Sequence, residues 1–183
     1  MENRKDQIIN LTIQLIKQKG FVAISYDDLS KPLGVTKASI HYHFEKKEDL
    51  GIAVTNRMLQ KLDYFVKDID NFTPSEQFDK FIANRIESLE KNDICLLSSL
   101  QADFQSLPQQ MKLKVTEVTE KELTILSNII ASIQAESPTH VMGEPQSLAL
   151  FILASGKGIL QYQRALGQSL ISNFVEQISR FVK

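Results

Sequence analysis

Residues 25–47 read SYDDLSKPLGVTKASIHYHFEKK, and this stretch decides how the rest of the chain is read. Ser25 can cap a helix, and Asp28 three residues later resembles a capping box with Asp in place of Glu. Leu29 and Leu33 face inward, and Gly34 breaks the helix. Pro32 removes a backbone donor and crowds the preceding turn, at about 3 kcal/mol in a regular helix interior. The helix is therefore expected to kink or end early. Thr36 is the N-cap of a second helix, Lys37 to His43, with Val35 and Ile40 spaced for a hydrophobic staple. Ile40 and Phe44 point into a core, which leaves Lys37, Ala38, Ser39, His41, Tyr42 and His43 outward or sideways. Two helices joined by a short glycine turn, with polar groups on the second, have the pattern of a helix-turn-helix. The same pattern also describes an ordinary helix pair.

Charge is distributed accordingly. The whole chain carries 21 Lys and Arg against 22 Asp and Glu, a net charge of −1, so overall charge gives no support to nucleic-acid binding. Between Lys31 and Lys47, four lysines (Lys31, Lys37, Lys46, Lys47) face one acid, Glu45, a local balance of +3. A basic patch on a near-neutral protein suits a DNA reader whose remaining surface stays soluble, and equally a solvated helix face. No apolar run approaches the roughly 18 residues of a membrane span, and the opening MENRKDQIIN has no signal-like apolar stretch, so a cytoplasmic protein is expected. The single Cys95 excludes an intrachain disulfide and agrees with a reducing compartment.

Outside the opening stretch, apolar residues recur at three and four, and strand signals are nearly absent, so an all-α chain is expected. Asn3 to Lys19 forms a first helix with Ile8, Leu11, Leu15 and Ile16 as its stripe, ended by Gly20 with Phe21 folding back in a Schellman contact. A long helix from Lys47 to Ile69 would span about 35 Å. Thr73-Pro74 starts another, carrying Phe78, Phe81, Ile82 and Leu89 inward. Residues 94–106 read as a shorter helix before Pro108, Gln109 to Gln134 as a long one, 135–145 as a loop, and 145–166 and 169–182 as the last two helices. Three helices make a head, residues 1–46, and six make a body, residues 47–183.

Residues 4–50 closely resemble the N-terminal domain of TetR-family transcriptional regulators. The resemblance rests on Ile8 through Leu15, Lys19-Gly20-Phe21, Ser25, Leu33-Gly34-Val35-Thr36-Lys37, Ile40, Tyr42-His43-Phe44 and Lys47-Glu48-Asp49-Leu50. It runs without a gap over about a quarter of the chain, and the nine-helix layout is also the family's. It implies a nine-helix architecture with a helix-turn-helix head on a ligand-binding and dimerisation body. By position, Lys37, Ala38 and Ser39 sit where the family reads base edges, and Ser25, Tyr42, His43 and Lys47 where it touches phosphates; Thr36 caps the recognition helix. Lys37 can donate to guanine O6 and N7, and Lys47 can meet a phosphate beside free helix N–H groups. Two positions depart from the family: His41 stands where Tyr is usual, and Pro32 where a small helix former is. They put the operator sequence and the phosphate contacts in question. His41 and His43, two residues apart, do not share a helix face, which argues against a metal pair.

The resemblance also implies a two-fold dimer through the last two helices, on a palindromic operator whose recognition helices lie about 34–36 Å apart. Leu148, Phe151, Ile152, Ser155, Ile159, Leu170, Phe174 and Ile178 are the candidate contacts; simple burial explains the same pattern. It implies further a small-molecule effector in the body, for which Phe65, Phe81, Cys95, Leu97, Phe104, Met111, Leu126 and Tyr162 are the candidate lining, though apolar residues at this spacing also describe plain core. Cys95 reads as a sensor thiol or as a small buried apolar residue. No nucleophile–base pair, Glu-x-x-His set or Gly-rich phosphate loop points to an enzyme, and no cofactor is expected. The chain is expected to be a dimeric repressor released from double-stranded DNA by a small apolar ligand. The alternatives are a constitutive DNA-binding protein without an inducer and, with least support, a helical-bundle enzyme.

Overall fold

Short-range capping sets where the helices begin. In the computed structural model, which describes residues 3–87, 94–136 and 143–182, Asn3 accepts the Asp6 N–H at 2.9 Å and opens α1 (Arg4–Lys19). Ser25 and Asp28 form a reciprocal capping box that opens α2 (Tyr26–Leu33), and Thr36 takes the Ser39 N–H at 3.2 Å to open α3 (Lys37–His43). After α4 (Lys47–Ile69), Thr73 and Glu76 form a second capping box, with Pro74 the first residue of α5 (Pro74–Ile82). A π-helical turn (Ala83–Glu87) follows, then α6 (Leu96–Ala102), a 3-10 turn (Phe104–Ser106), α7 (Gln109–Glu136), α8 (Pro145–Leu166) and α9 (Ile171–Val182). These nine α-helices, without a strand among the described residues, are the expected all-α layout. Among the same residues no helix is long and apolar enough to cross a membrane. Leu89 and most of the 135–145 loop lie outside the described residues.

Three local expectations change. Pro32 does not end α2 early: the helix runs one residue past it, to Leu33. Proline sits in the last turn of an eight-residue helix, so little of the ladder depends on its missing donor. Gly34 then enters the left-handed region (φ 63°, ψ 34°) and closes the end. Its N–H donates to the Lys31 carbonyl at 3.2 Å, and the Val35 N–H to the Ser30 carbonyl at 3.0 Å. That is a Schellman ending, found at Gly34 rather than at Gly20. Gly20 has positive φ (80°), but its ψ of 159° is extended, so the chain leaves α1 without a left-handed turn. The helix expected over 94–106 is divided, with α6 stopping at Ala102 and a 3-10 turn following Asp103.

The chain separates into two units. The first holds residues up to Lys61 together with Leu96–Val118. Its core is Ile8, Ile16, Phe21, Leu29, Ile40, Leu50 and Val54, with Leu97, Leu100 and Met111, all buried. Segment 96–118 is tied to α1 by the Ser99 hydroxyl, which donates to the Ile16 carbonyl at 2.8 Å. Packing is tight where α4 passes Met111: a Cβ on Gly51 would lie 2.3 Å from Met111 Cε and 3.0 Å from Phe21 Cζ.

The second unit holds Leu62–Cys95 and Thr119–Lys183. Phe78, Phe81, Ile82, Leu126, Ile130, Ile152 and Ile178 are buried there. So is Glu122 on α7, whose carboxylate meets Arg85 at 3.2 Å and Lys157 at 2.8 Å. Two cations on one carboxylate satisfy a charge that would otherwise be costly inside. Gln163, also buried, accepts the Leu170 N–H at 3.0 Å just ahead of α9.

The Gly51 contact yields a stability prediction. Gly51→Ala gains about 0.8–1 kcal/mol in helix propensity but forces Met111 and Phe21 to move, at about 1–3 kcal/mol. A net loss on the order of 1 kcal/mol is expected, read as a Tm lowered by about 2–4 °C. An unchanged or raised Tm would show that Met111 repacks freely.

Candidate nucleic-acid interface

The second helix of the head pair presents one face outward. On α3, Ile40 is fully buried and Phe44 follows it inward, as expected. Lys37, Ala38, His41 and Tyr42 are exposed, Tyr42 by 86%, while Ser39 and His43 are half-buried. The candidate base-reading residues Lys37 and Ala38 thus stand on open surface, with Ser39 at its edge. Thr36 is exposed and engaged as the cap.

Several of these groups already have partners. Lys37 Nζ pairs with Asp27 of α2 at 2.9 Å, both groups about half exposed. That ion pair holds the Asp27 carboxyl below the ordinary carboxylate value. His41 Nδ1 lies 3.2 Å from the Glu45 carbonyl, and its ring packs on Tyr26 with centroids 4.2 Å apart. The Tyr26 hydroxyl reaches the Phe44 carbonyl at 3.4 Å. Tyr42 and His43 meet edge to face at 5.2 Å. Ser25 Oγ donates to Asp28 Oδ2 at 2.7 Å. Lys19 pairs with Asp28 at 2.8 Å and, with the Ser25 hydroxyl and N–H, holds the Asp28 carboxyl far below the ordinary value. None of the pairs from α2 to α3 follows a helical period, so the parts played by Asp27 and Tyr26 are not legible before folding.

Lys47 is engaged from two sides. Its ammonium donates to the Val22 carbonyl at 2.8 Å and lies 4.8 Å from the centre of the Phe21 ring. Burial pushes its pKa down, against the Asp103 and Asp28 carboxylates. A small cavity lined by Phe21, Ile24, Ser25, Tyr26, Leu29, Lys47 and Leu50 opens beneath it. The expectation of free N–H groups at the start of α4 holds only in part: Asp49 Oδ2 accepts the Lys46 N–H at 2.9 Å. Among the described residues no group of three His, Cys, Asp or Glu side chains could hold a metal ion.

Residues 8–54, which span this interface, match the model of the bacterial regulatory proteins, tetR family. A TetR transcriptional regulator from Legionella pneumophila has the same fold over 100% of this chain and 96% of its own, with a TM-score of 0.82 and 28% identity. The chain belongs to the TetR family. A curated relative of this TetR-family chain is the biofilm operon icaADBC negative transcriptional regulator IcaR of Staphylococcus epidermidis, 26% identical over 81% of this chain and 78% of IcaR. The Bacillus subtilis regulator FadR, solved in complex with stearoyl-CoA, shares the fold (TM-score 0.74, 98% of this chain and 100% of that one) at 18% identity. The expected family and the nine-helix fold are thereby established, and with them a DNA-binding transcriptional regulator.

The remaining candidate residues fall as follows. Of the proposed ligand lining, Phe81 and Leu126 are buried in the second unit, where Phe65 meets Phe81 edge to face at 5.9 Å. Cys95 is half-buried there, and Tyr162 is 66% exposed on α8. Leu97 and Met111 are buried in the first unit, where Phe104 is half-buried with Lys112 near its ring. The eight residues are therefore divided between the two units. Of the proposed dimer contacts, Phe151 is exposed; Leu148, Ser155, Ile159, Leu170 and Phe174 are half-buried. Ile152 and Ile178 are 2% and 3% exposed, consumed within the chain's own fold, where α8 and α9 pack. The outward face of α8 instead carries Leu150, Phe151, Ala154, Tyr162 and Leu166.

The Asp28 carboxylate makes the head's stability acid-sensitive. Its folded pKa lies below its unfolded value of about 4, so its contribution is complete above that value. It is lost as pH falls from about 4 toward 2. Asp28→Asn should show a smaller loss of stability across that window than the wild type, by denaturant unfolding. Parallel pH profiles for the two proteins would refute the assignment.

Proposed function

We propose that the chain is a homodimeric repressor that binds a palindromic double-stranded DNA operator and is released by a small apolar effector. The observation that carries the DNA-binding part is the outward face of α3, where Lys37, Ala38 and Tyr42 stand exposed between capped ends. Repression is supported by the likeness to IcaR, named as a negative regulator. In this reading residues 1–46 act as the DNA-binding head and 47–183 as the ligand-binding and dimerisation body, and the protein works in the cytoplasm. Ser39 joins Lys37 and Ala38 at base edges, with His41 at the edge of the same face. Ser25, Tyr42, His43 and Lys47 lie toward phosphates. Lys37 must exchange Asp27 for a base edge, which adds a desolvation and ion-pair cost that only a matching guanine offsets.

Dimerisation is assigned to the outward face of α8. Leu150, Phe151, Tyr162 and Leu166 leave an apolar stripe in water that a second copy would cover. Effector binding is assigned to the apolar interior around Phe65, Phe81 and Leu126, and support for a ligand-responsive body comes from the fold shared with FadR. An effector shifts the DNA-binding equilibrium only by its differential affinity for bound and free states.

A gel-shift assay on DNA immediately upstream of the coding sequence should reveal salt-sensitive, palindrome-specific binding; its absence would defeat the repressor reading. Lys37→Ala should cost about 1–3 kcal/mol and relax base preference at one position, whereas Lys47→Ala should weaken all sequences alike. Identical behaviour of the two variants would refute the division of roles. Phe151→Glu should convert a sedimenting dimer to monomer, and a persistent dimer would move the interface elsewhere. A metabolite at a hundred times its Kd should stabilise the protein by about 2.7 kcal/mol in a thermal-shift screen.

A further inference from the structure

The turn between α1 and α2 is held by a side chain from far along the chain. The Val22 N–H donates to Asp103 Oδ2 at 3.1 Å, and the Val22 carbonyl accepts from Lys47 Nζ at 2.8 Å. Both bonds act on one residue of a non-helical turn. The carboxylate lies close against that turn: a Cβ on Gly20 would stand 3.0 Å from Asp103 Oδ2. Four residues earlier, Ser99 donates to the Ile16 carbonyl, so the 99–103 segment grips the corner at both of its ends. All of these residues belong to the first unit, into which segment 96–118 is folded with the head.

The consequence concerns Lys47. A lysine has a long stem with many rotamers, and ordering it on contact with DNA subtracts from affinity. Here one donor of the ammonium is already fixed on Val22, and the charge sits near the Phe21 ring, leaving two N–H donors for a phosphate. This arrangement lasts only while the Val22 carbonyl stays in place. Asp103 is the side chain that fastens Val22 from its N–H side. Its charge also favours the ammonium, opposing the burial that disfavours it.

The geometry points to Asp103 as a positioning residue for the phosphate contact of Lys47: the segment following α6 sets the sequence-independent part of DNA affinity by holding Val22. This rests on the DNA-binding reading above. It places the point at which the body segment acts on the head in a pair of hydrogen bonds at Val22.

The test is a double-mutant cycle on the intact protein, using the upstream duplex and an unrelated duplex across a salt series. Asp103→Ala should weaken binding to both duplexes by about three- to tenfold and lower the salt slope by about one, the signature of one lost phosphate contact. Lys47→Ala should do the same, and the double variant should lose nothing further. Asp103→Asn keeps an acceptor for the Val22 N–H and should restore most of the affinity. Asp103→Ser, too short to reach Val22, replaces the alanine variant if that fails to fold and carries the same expectation. Additive losses, an unchanged salt slope, or an asparagine variant as weak as alanine would overturn the inference while leaving the repressor reading intact. A wild-type protein that binds neither duplex would overturn both.

Discussion

The left-handed turn at Gly34 is the constraint from which the head's presentation follows. α2 and α3 are eight and seven residues long, too short to be stable alone, so their ends and their packing must fix them. Gly34 satisfies the last carbonyls of α2 through its own N–H and that of Val35. One residue later, Thr36 already caps α3. The turn is therefore closed on both sides by backbone geometry, and Leu29 and Ile40 are buried on either side of it. A residue with a Cβ at Gly34 meets no steric neighbour but would have to hold positive φ, so the demand is conformational. With the turn fixed, the angle of α3 is fixed, and so is which of its side chains face water.

On that frame, polar side chains are ordered before any DNA arrives. Lys37 leans on Asp27, His41 on Tyr26, and Lys47 on Val22. These contacts differ in what they do to binding. In the proposed DNA complex the Lys37–Asp27 pair would compete with a base edge for the same ammonium, which would raise the cost of a mismatch and favour discrimination. The Lys47–Val22 bond leaves two donors over, which in the proposed complex would favour affinity without discrimination. Exposed ion pairs contribute little to stability, so the first arrangement is better understood as a filter than as a strut.

What the sequence disclosed is what short range controls. Ser25 with Asp28, Thr36 with Ser39 and Thr73 with Glu76 are three residues apart; the caps at Ser25 and Thr36 form where the sequence places them, and Thr73 adds a box where only a helix start is expected. Pro32 does not end α2 early, because it removes a single donor in the last turn, one residue before the helix closes at Leu33. The Asp27–Lys37 pair, the Tyr26–His41 stack and the grip of Asp103 on Val22 join residues whose proximity exists only after folding. No periodicity encodes them. The family resemblance supplies the candidate residues for DNA contact, but by position, and it carries no information about their partners in this chain.

The last two helices show the same limit from another side. From Leu148 to Leu160 α8 is apolar almost all round, and such a helix needs cover on both faces. Periodicity identifies the helix but cannot say which face the chain covers for itself. The structure assigns Ala149, Ile152, Leu153 and Leu160 to the chain's own interior. Gly156 allows Ile86 within 2.6 Å of where a Cβ would be, which requires a residue without a side chain on that inner face. Gly158 on the other face has nothing within 4 Å. Two glycines two residues apart thus face different demands. One is occupied by the fold, and the other, beside Ala154 and Tyr162, leaves a shallow apolar surface that folding alone does not cover. The imbalance between these faces is the physical reason to expect a second chain on α8.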